Sequence, residues 1–284
     1  MRRQTKEKLM FLLFRGCGLV VALALLVIVG YIVILGAPVI TWEFLTEFPR
    51  KLYAEPEGGI FPAIVGTLYL MALVMVIAVP IGVFTAVYIS EYQSKSRFAN
   101  ILRVVVNNLA GVPSIVYGLL GVGMLVYYFG WGKSLMAASV TLAFLVLPLV
   151  ITASREAIQA VPSSLREASL ALGTTKWQTI RHHVLPYSLP GILTGVILSI
   201  SRAAGETAPI LLVGAVFVKF TLPQSVWDTF HAMPFELYAL ATQTVFEKTK
   251  EFQYGTALVL LIMVVLMNLA AIFIRNKYRE KYKW

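Results

Sequence analysis

The sequence predicts an all-α integral membrane protein with six transmembrane helices. Apolar residues make up 58% of the 284-residue chain, and charged residues make up only 13%. A soluble domain is usually only about 45–50% apolar, so this composition favours a membrane protein. The apolar residues form six stretches of about 20 to 30 residues, long enough to cross a hydrocarbon core of about 30 Å. These stretches lack the strict apolar–polar alternation of a membrane β-barrel.

The six predicted spans cover most of the chain. In chain order they are Gly16–Ile40, Ala63–Ile89, Val104–Phe129, Ser134–Ser154, Leu189–Val218 and Gly255–Ile274. We expect a tail at 1–15, a first helix with its external loop at 16–57, a main transmembrane domain at 58–274 and a second tail at 275–284. The 155–188 loop joins the fourth and fifth spans of the main domain.

The net charge of +10 is distributed unequally between the two predicted sides of the membrane. With the N-terminus inside, the cytoplasmic segments hold 17 basic and 5 acidic residues, whereas the opposite side holds 6 basic and 8 acidic residues. An excess of lysine and arginine on the cytoplasmic side is the usual orientation signal. The sequence therefore predicts that both termini are cytoplasmic. It gives no reason to expect nucleic-acid binding.

Arg202 and Glu206 are opposite charges within the otherwise uncharged stretch 190–217. A charge near the bilayer centre costs at least about 2.5–3.5 kcal/mol, so it normally faces a partner, a cavity or a substrate path. We predict that Arg202, Glu206 and the adjoining Thr207 line a transport path. A structural ion pair that locks the helix bundle is the alternative interpretation.

The i, i+4 spacing of the two charges places them on one face of a helix. That face continues toward the N-terminus through the small residues Gly191, Gly195 and Ser199. Small residues at this spacing let a neighbouring helix approach closely. We therefore expect the charges to point into protein rather than into lipid.

Proline residues interrupt two of the predicted spans. Gly111-Val-Pro113-Ser114 breaks the third span, and broken membrane helices commonly line cavities, so Ser114 is a candidate pathway residue. An ordinary proline kink packed against neighbouring helices is equally consistent with this pattern. Pro209 leaves the carbonyl four residues earlier without its helical partner, so Pro113 and Pro209 are both candidate hinges.

The 155–188 loop carries two predicted capping boxes. Ser164-Leu-Arg-Glu167 predicts the start of a short helix that ends at Gly173, and Thr175-Lys-Trp-Gln178 predicts a second helix that Pro186 stops. Their predicted apolar faces consist of Leu165, Ala168 and Leu172 in the first helix and Trp177, Ile180 and Val184 in the second. Such helices either dock in a partner's groove or lie at the lipid interface.

The same loop resembles the EAA loop of bacterial ABC-importer permeases. Glu167-Ala-Ser-x3-Gly173-x9-His183-Val-Leu185-Pro186 follows the family pattern EAA-x3-G-x9-I-x-L-P, with Ser169 and His183 as departures. In that family the loop seats in a cytoplasmic ATPase. The resemblance therefore implies ATPase-coupling roles for Arg166, Glu167, Ala168 and Gly173. Glycine at the last of these positions also allows a positive φ between the two helices.

Further motifs are similar to the PstA-type permease subunits of bacterial phosphate ABC importers. Arg202-Ala-Ala-Gly-Glu-Thr-Ala-Pro209 resembles their RxxGETAP segment, and Gly111-Val-Pro-Ser-Ile-Val-Tyr-Gly118 and Met233-Pro-Phe-Glu-Leu-Tyr238 are similar as well. The likeness covers about residues 58–284. It implies the type I, MetI-like permease fold, a location in the bacterial inner membrane and inorganic phosphate as the substrate.

The resemblance also implies partners for this chain. A second, PstC-like permease would complete the pathway, two PstB-like ATPase subunits would bind ATP and Mg²⁺, and a PstS-like external protein would deliver phosphate. The sequence has no strand–GxxxxGK[ST]–helix motif, so we expect no cofactor on this chain and no enzymatic activity. His182, His183 and His231 have no carboxylate or cysteine at ligand spacing, so we expect no metal site.

Two other functions remain open at this point. Sulfate, molybdate and tungstate are tetrahedral oxyanions that an arginine binds as it binds phosphate, so an ABC permease for one of them is the first alternative. A secondary anion transporter is the second, although no inverted repeat is visible in the sequence.

The 219–253 segment is predicted to be external and to contain an amphipathic helix. The helix would begin near Pro234 and present Leu237, Leu240, Ala241 and Val245 on one face. This face either packs over the bundle or contacts an external binding protein.

Overall fold

The computed structural model of the chain describes residues 2–51, 56–92, 97–216, 221–242 and 247–281. Helices dominate these ranges. In chain order the α-helices are α1 Arg2–Gly36, α2 Trp42–Thr46, α3 Phe61–Val87, α4 Arg97–Ala110, α5 Ser114–Gly121, α6 Leu135–Gln159, α7 Ser163–Ala171, α8 Lys176–Thr179, α9 Leu185–Gly205, α10 Ala208–Val213, α11 Met233–Thr242 and α12 Glu247–Lys281. The 3₁₀ turn Ala37–Val39 follows α1, and a short antiparallel pair joins β1 (Pro49–Lys51) and β2 (Glu57–Gly58).

Five helical stretches of the described residues are long and apolar enough to cross a membrane. They are Glu7–Val39, Phe61–Tyr92, Leu135–Gln159, Lys176–Gly205 and Lys248–Lys281. The described residues include three π-helical segments, which are Tyr88–Tyr92 after α3, Val122–Tyr128 after α5 and Ile180–Val184 between α8 and α9. Helix α4 and the stretch Ser114–Tyr128, which is α5 with its π-helical extension, form a bent pair. The pair gives a sixth span if its two halves are counted together as one span. The chain is therefore a multi-pass helical membrane protein.

The third predicted span is not the single helix that we expected over Val104–Phe129. Helix α4 ends at Ala110, α5 begins at Ser114, and the two are bent by 105°. Proline disfavours helical geometry in the residue before it and lacks an amide hydrogen, so Pro113 ends the first helix. The Tyr117 hydroxyl donates a hydrogen bond of 2.8 Å to the Leu109 carbonyl and so satisfies one carbonyl at the end of α4.

The fifth predicted span, Leu189–Val218, is also broken. Helix α9 ends at Gly205, Glu206 is extended with φ −76° and ψ 122°, and α10 then covers six residues. Pro209 lies in the first turn of α10, because its ring would clash with the carbonyl of Gly205 in a continuous helix. The end of the predicted span at Val218 lies outside the described residues.

The centre of the bundle is formed by α3, α6 and α9. Helix α6 packs against α3 where Gly82 faces Val150 and against α9 where Gly195 faces Ala153, and neither glycine has room for a side chain. The small-residue face predicted for α9 therefore does face a neighbouring helix. Helix α1 packs differently, since residues 7–29 are exposed and Gly36, at its end, lies against Tyr254 of α12.

The 155–188 loop forms the two helices α7 and α8, but only the second capping box is confirmed. Thr175 Oγ accepts a hydrogen bond of 3.3 Å from the Gln178 amide, and the Thr175 amide donates one of 2.8 Å to Gln178 Oε1. The Ser164 box is wrong, because α7 begins one residue earlier after Pro162 and has no side-chain cap. Pro186 does not stop the second helix, since it lies inside the continuous helical stretch Lys176–Gly205, directly after the π-helical segment Ile180–Val184.

The external segment contains the predicted helix, but its buried face differs from the prediction. Helix α11 packs against α3 and α12, which is the first of the two arrangements considered for it. The buried residues are Met233, Pro234, Glu236, Ala239 and Leu240, whereas Ala241 is exposed. Val245 lies outside the described residues. The amide of Met233 donates a hydrogen bond of 2.9 Å to Thr67 Oγ1 and so ties this segment to α3.

Candidate functional site

Arg202 lies in the last turn of α9, and Glu206 is the first residue beyond that helix. Arg202 Nε is 3.7 Å from Glu206 Oε1, which is an ion pair without a short hydrogen bond. The Arg202 side chain is 46% exposed on the single chain, whereas that of Glu206 is 17% exposed. Our expectation that both charges share one face of a continuous helix is therefore wrong, because the helix ends between them.

Arg202 does not point into the chain's own bundle, so the protein that it was predicted to face would have to be a partner chain. Ser199, Ala203 and Ala204 are buried, while Leu198 and Arg202 lie on an exposed side of α9. The guanidinium faces the surroundings of this chain rather than α6. Because a charged group in hydrocarbon is costly, this side of α9 requires a partner or a water-filled cavity.

The two broken spans of the chain meet each other. Gly118 of α5 packs against Ala208 and Pro209 of α10 so closely that an added Cβ would lie 2.9 Å from the Pro209 Cα. Ser114, at the start of α5, is half-buried one turn before Gly118. The half-buried Thr207 precedes α10 and makes no side-chain capping bond. Ser114 and Pro113 thus lie at the break between α4 and α5, and the other predicted pathway residues lie with Pro209 at the break between α9 and α10. These two breaks pack against each other.

Tyr117 is a further residue of this region that the sequence analysis did not identify. It is buried on α5, its hydroxyl bonds to the Leu109 carbonyl, and Arg202 lies within electrostatic range of it. Its position three residues after Ser114, immediately beyond a helix break, was the available signal. Tyr117 thus lies at the bend of the third span and belongs to the same buried apolar cluster as Ala203 and Ala204 of α9.

Three of the four predicted coupling residues lie on the outer surface of the 155–188 loop. Glu167, Ala168 and Gly173 are exposed, and Gly173 has φ +82°, which confirms the predicted turn conformation. Large apolar side chains accompany them, namely Leu170, Leu172 and Trp177, with Leu172 as much as 85% exposed. An exposed group of large apolar side chains beside a carboxylate marks an interaction surface.

Arg166, the fourth predicted coupling residue, faces the opposite way. Its side chain is 21% exposed and bonds to Glu91 at the end of the π-helical segment that follows α3. Glu91 could not be identified from the sequence, because 75 residues separate it from its partner and no local pattern joins them. The structure therefore does not place Arg166 with the other three residues.

A buried pair lies near the start of α3, outside the membrane-spanning helices. His231 Nε2 is 3.8 Å from Glu236 Oε2, and both side chains are almost fully buried. Burial lowers the pKa of His231 from 6.5 to about 4 and raises the pKa of Glu236 from 4.5 to about 8. Both groups are consequently neutral near pH 7. Among the described residues, no group of three or more His, Cys, Asp or Glu side chains converges as a metal site requires.

The fold and these surfaces define a class of protein. A multi-pass helical bundle combines an intramembrane arginine beside a helix break with an exposed, capped double-helix loop, and this combination is typical of a transport subunit. Residues 78–282 match the family described as "Binding-protein-dependent transport system inner membrane component". This match covers well over half of the chain, so the chain belongs to that family.

Individual relatives agree with this assignment. The chain is 39% identical over 222 residues to the phosphate transport system permease protein PstA 1 of Mycobacterium tuberculosis (strain CDC 1551 / Oshkosh), which covers 77% of this chain and 71% of the relative. It is 34% identical over 271 residues to the phosphate transport system permease protein PstA of Mycobacterium leprae, and this match covers 94% of this chain and 88% of the relative.

A solved structure supports the fold. A chain of a bacterial alginate ABC transporter, in complex with a periplasmic protein that carries an alginate pentasaccharide, superposes with a TM-score of 0.64 at 15% identity. The match covers 94% of each chain. The ABC-importer permease fold predicted from the sequence is therefore confirmed.

Proposed function

We propose that this chain is a permease subunit of an ATP-driven importer of inorganic phosphate and that it forms half of the translocation pathway. The observation that carries the proposal is the half-exposed Arg202 beside the helix break at Glu206. The PstA proteins of the two mycobacteria, which are similar over most of the chain, support phosphate as the substrate. As a permease, the chain is a transport subunit and not an enzyme.

The geometry suggests how an anion would be held. A planar guanidinium binds a phosphate through two parallel, charge-assisted hydrogen bonds. Glu206 reduces the cost of the cation when the path is empty, and its distance of 3.7 Å leaves the Arg202 N–H groups available for exchange. Thr207 and Ser114 would offer hydroxyl groups from the two neighbouring breaks. Pro113 and Pro209 keep both breaks in place.

The rest of the importer would come from other chains. A PstC-like permease would cover the exposed side of α9, and two PstB-like ATPase subunits would bind ATP and Mg²⁺. The exposed Glu167, Ala168 and Gly173, with the apolar side chains beside them, supply a docking surface for an ATPase groove. A PstS-like protein would deliver phosphate on the other side of the bacterial inner membrane, with both termini of this chain cytoplasmic.

Two alternatives are distinguished by experiment. Sulfate, molybdate or tungstate would fit the same arginine, and a secondary anion transporter would need no ATPase. The test is uptake of labelled phosphate into proteoliposomes that hold this chain with its co-expressed permease and ATPase, with the binding protein outside. We expect uptake to depend on ATP, to resist excess sulfate and molybdate, and to fall at least about tenfold in Arg202→Ala, because a charge-assisted hydrogen bond contributes about 1.5–3 kcal/mol.

Arg279→Ala is the matched control, since it removes the same charge from an exposed position at the far end of α12. It should transport as the unmodified chain does. Uptake of another oxyanion would replace the substrate but keep the class of transporter. Uptake without ATP would contradict the class, and full uptake by Arg202→Ala would contradict the role of the arginine.

A further inference from the structure

The guanidinium of Arg166 donates four hydrogen bonds to residues of its own chain. Nε and Nη2 donate hydrogen bonds of 3.0 and 2.8 Å to Glu91 Oε1. Nη1 donates one of 2.5 Å to the Val161 carbonyl, and Nη2 donates another of 2.7 Å to the Ile158 carbonyl. The Glu91 side chain is only 10% exposed, so this ion pair is largely shielded from solvent. Charge-assisted bonds in such surroundings are strong and directional.

These four bonds join three parts of the fold. Glu91 belongs to the π-helical end of the α3 span, Ile158 to the last turn of α6, and Arg166 to α7 in the 155–188 loop. The arginine supplies one donor to the Ile158 carbonyl in the last turn of α6 and one to the Val161 carbonyl in the connection that follows it. Arg166 therefore attaches α7 directly to the end of α3.

The loop that carries Arg166 is internally cross-linked. The hydroxyl oxygens of Ser169, Thr174 and Thr179 lie 2.8 to 3.0 Å from one another, across the turn at Gly173. Ser169 is one of the two departures from the family pattern, and its hydroxyl takes part in this cluster. Because the cluster spans both short helices, α7 and α8 are held as one unit.

The other end of the loop is joined to α9 through the main chain. Residues Lys176–Gly205 form one unbroken helical stretch, which leads from α8 through the π-helical segment to Arg202. The loop is joined to the bundle at several points, because it continues from α6 in the chain and its apolar side chains pack with Ala86 and Val87 of α3. Its α7 end is bonded to α3 through Arg166, and its α8 end is continuous with the helix that carries the pathway arginine.

An open groove of about 670 Å³ runs along the surface between α3 and α9. Its lining is apolar and includes Val79 and Val83 of α3 and Leu189 and Leu193 of α9. Helices α3 and α9 are already joined through α6, on which Gly82 and Gly195 pack closely. The Arg166–Glu91 pair adds a direct polar link between the loop and the end of the α3 span.

We propose that Arg166 is a positioning residue that transmits displacement of the 155–188 loop to α3 through Glu91, so that α3 and α9 move together. Its role is internal, and it does not contact the ATPase. The inference rests on the proposed function, because it assumes that an ATPase moves this loop.

The test uses the complete importer in proteoliposomes with Arg166→Ala, Glu91→Ala and the double variant. The readouts are labelled substrate taken up per ATP hydrolysed and the amount of ATPase that co-purifies. We expect the ATPase to remain bound and to hydrolyse ATP, while the transport ratio falls about tenfold, as mutations within a coupling network do. The double variant should fall no further than either single variant, because the two residues act as one unit.

Three additional variants sharpen the experiment. Glu167→Ala, at the outward-facing neighbour, should release ATPase instead of lowering the ratio, whereas Arg279→Ala should change neither readout. Glu91→Gln lies outside the loop and keeps an acceptor oxygen, so its ratio should lie between those of the unmodified chain and Glu91→Ala. It keeps the test valid if Arg166→Ala does not fold.

If the unmodified importer shows ATP-driven uptake, either of two results would overturn the inference. One is an unchanged transport ratio in Glu91→Ala and Glu91→Gln. The other is loss of ATPase from Arg166→Ala, which would make the arginine part of the docking surface. By contrast, absence of ATP-dependent uptake in the unmodified importer would overturn the proposed function itself.

Discussion

Two arginines of this chain have opposite surroundings. Arg166 donates four hydrogen bonds to three acceptors and is largely buried. Arg202 has a carboxylate at 3.7 Å and a side chain that is nearly half exposed. A guanidinium has five N–H donors. Arg166 therefore uses nearly all of its donors within the chain, whereas Arg202 retains donors for a ligand. The difference separates a residue that holds the fold together from one that is available to an anion.

Glu206→Gln tests whether the carboxylate contributes to anion selection. Phosphate near neutral pH keeps a proton that a carboxylate accepts, whereas sulfate has none to donate. We expect sulfate to inhibit labelled phosphate uptake about tenfold more strongly in the variant than in the unmodified importer, since one charged hydrogen bond distinguishes the two anions. Normal uptake that still resists sulfate would exclude this role of Glu206.

Glu236→Gln tests the buried pair through the pH dependence of stability. The raised pKa of Glu236 means that its contribution to stability is lost as pH rises from 4.5 to about 8. The lowered pKa of His231 means that its contribution is lost as pH falls from 6.5 to about 4. Of these two groups, only Glu236 acts above pH 6.5, so the apparent Tm should fall between pH 6.5 and 8.

The Gln variant should abolish that fall, because an amide does not titrate. Thermal unfolding of the purified chain at several pH values measures it. Glu251→Gln, at an exposed position of α12, is the control and should keep the pH dependence of the unmodified chain. An equal fall in both variants would show that another group is responsible.

At the scale of the helices, packing depends on positions where no side chain fits. Gly195 of α9 faces Ala153 of α6, and Gly191 faces Ala157 with 2.6 Å between an added Cβ and the alanine Cβ. We expect Gly195→Ala to destabilise the fold by about 1–3 kcal/mol, as overpacking usually does. Denaturant or thermal unfolding of the purified chain would measure this change.

Gly30→Ala is the matched control for that substitution. Gly30 also lies in a long apolar helix, but an added Cβ there would meet nothing within 4 Å. Alanine should leave stability unchanged or raise it by up to about 1 kcal/mol, because alanine favours the helix over glycine. Equal effects at both positions would contradict close contact between α6 and α9.

The sequence predicted the helices better than it predicted their ends. Hydrophobic length is a strong signal, and all six apolar stretches correspond to described helices. The breaks were harder to place, because Pro113 and Pro209 are compatible with a kink as well as a full interruption. Pro186 shows the opposite error, since a proline can kink a helix without ending it, and here the helical stretch continues through it after a π-helical segment.

The residues of the candidate site could be predicted from the sequence, but the directions in which their side chains point could not. Arg202, Glu206 and the exposed loop residues were identified from charge, spacing and motif. The inward orientation of Arg166 depends on Glu91, which only the tertiary fold brings within 2.8 Å. The burial of Glu236 likewise depends on α11 folding back onto α3, and no local pattern encodes that contact.

At the scale of the whole molecule, the single chain exposes a surface that carries a charge and is therefore poorly suited to contact with lipid alone. The exposed side of α9 combines Leu198, 54% exposed, with the charged Arg202 one turn further on. A partner permease would convert this side into one wall of an aqueous path. The structure of one chain is consistent with half of such a path.

Leu198→Cys, in a Cys17→Ser background, tests whether this side faces water. We expect a water-soluble methanethiosulfonate reagent to modify the cysteine in the assembled importer during ATP hydrolysis, because a pathway must hydrate its charged group. Leu26→Cys on α1 is the control, since that exposed position lies in the middle of a span without charges. Equal protection of both cysteines would place Leu198 in lipid or in a dry interface.

The unbroken stretch Lys176–Gly205 has a mechanical consequence. Thirty residues at 1.5 Å each make a rod of about 45 Å. If this rod pivots near the loop, a tilt of only about 5° carries its far end through about 4 Å, roughly the width of an ion. A small rotation imposed on one side of the membrane is therefore amplified into a displacement large enough to open or close a passage at Arg202.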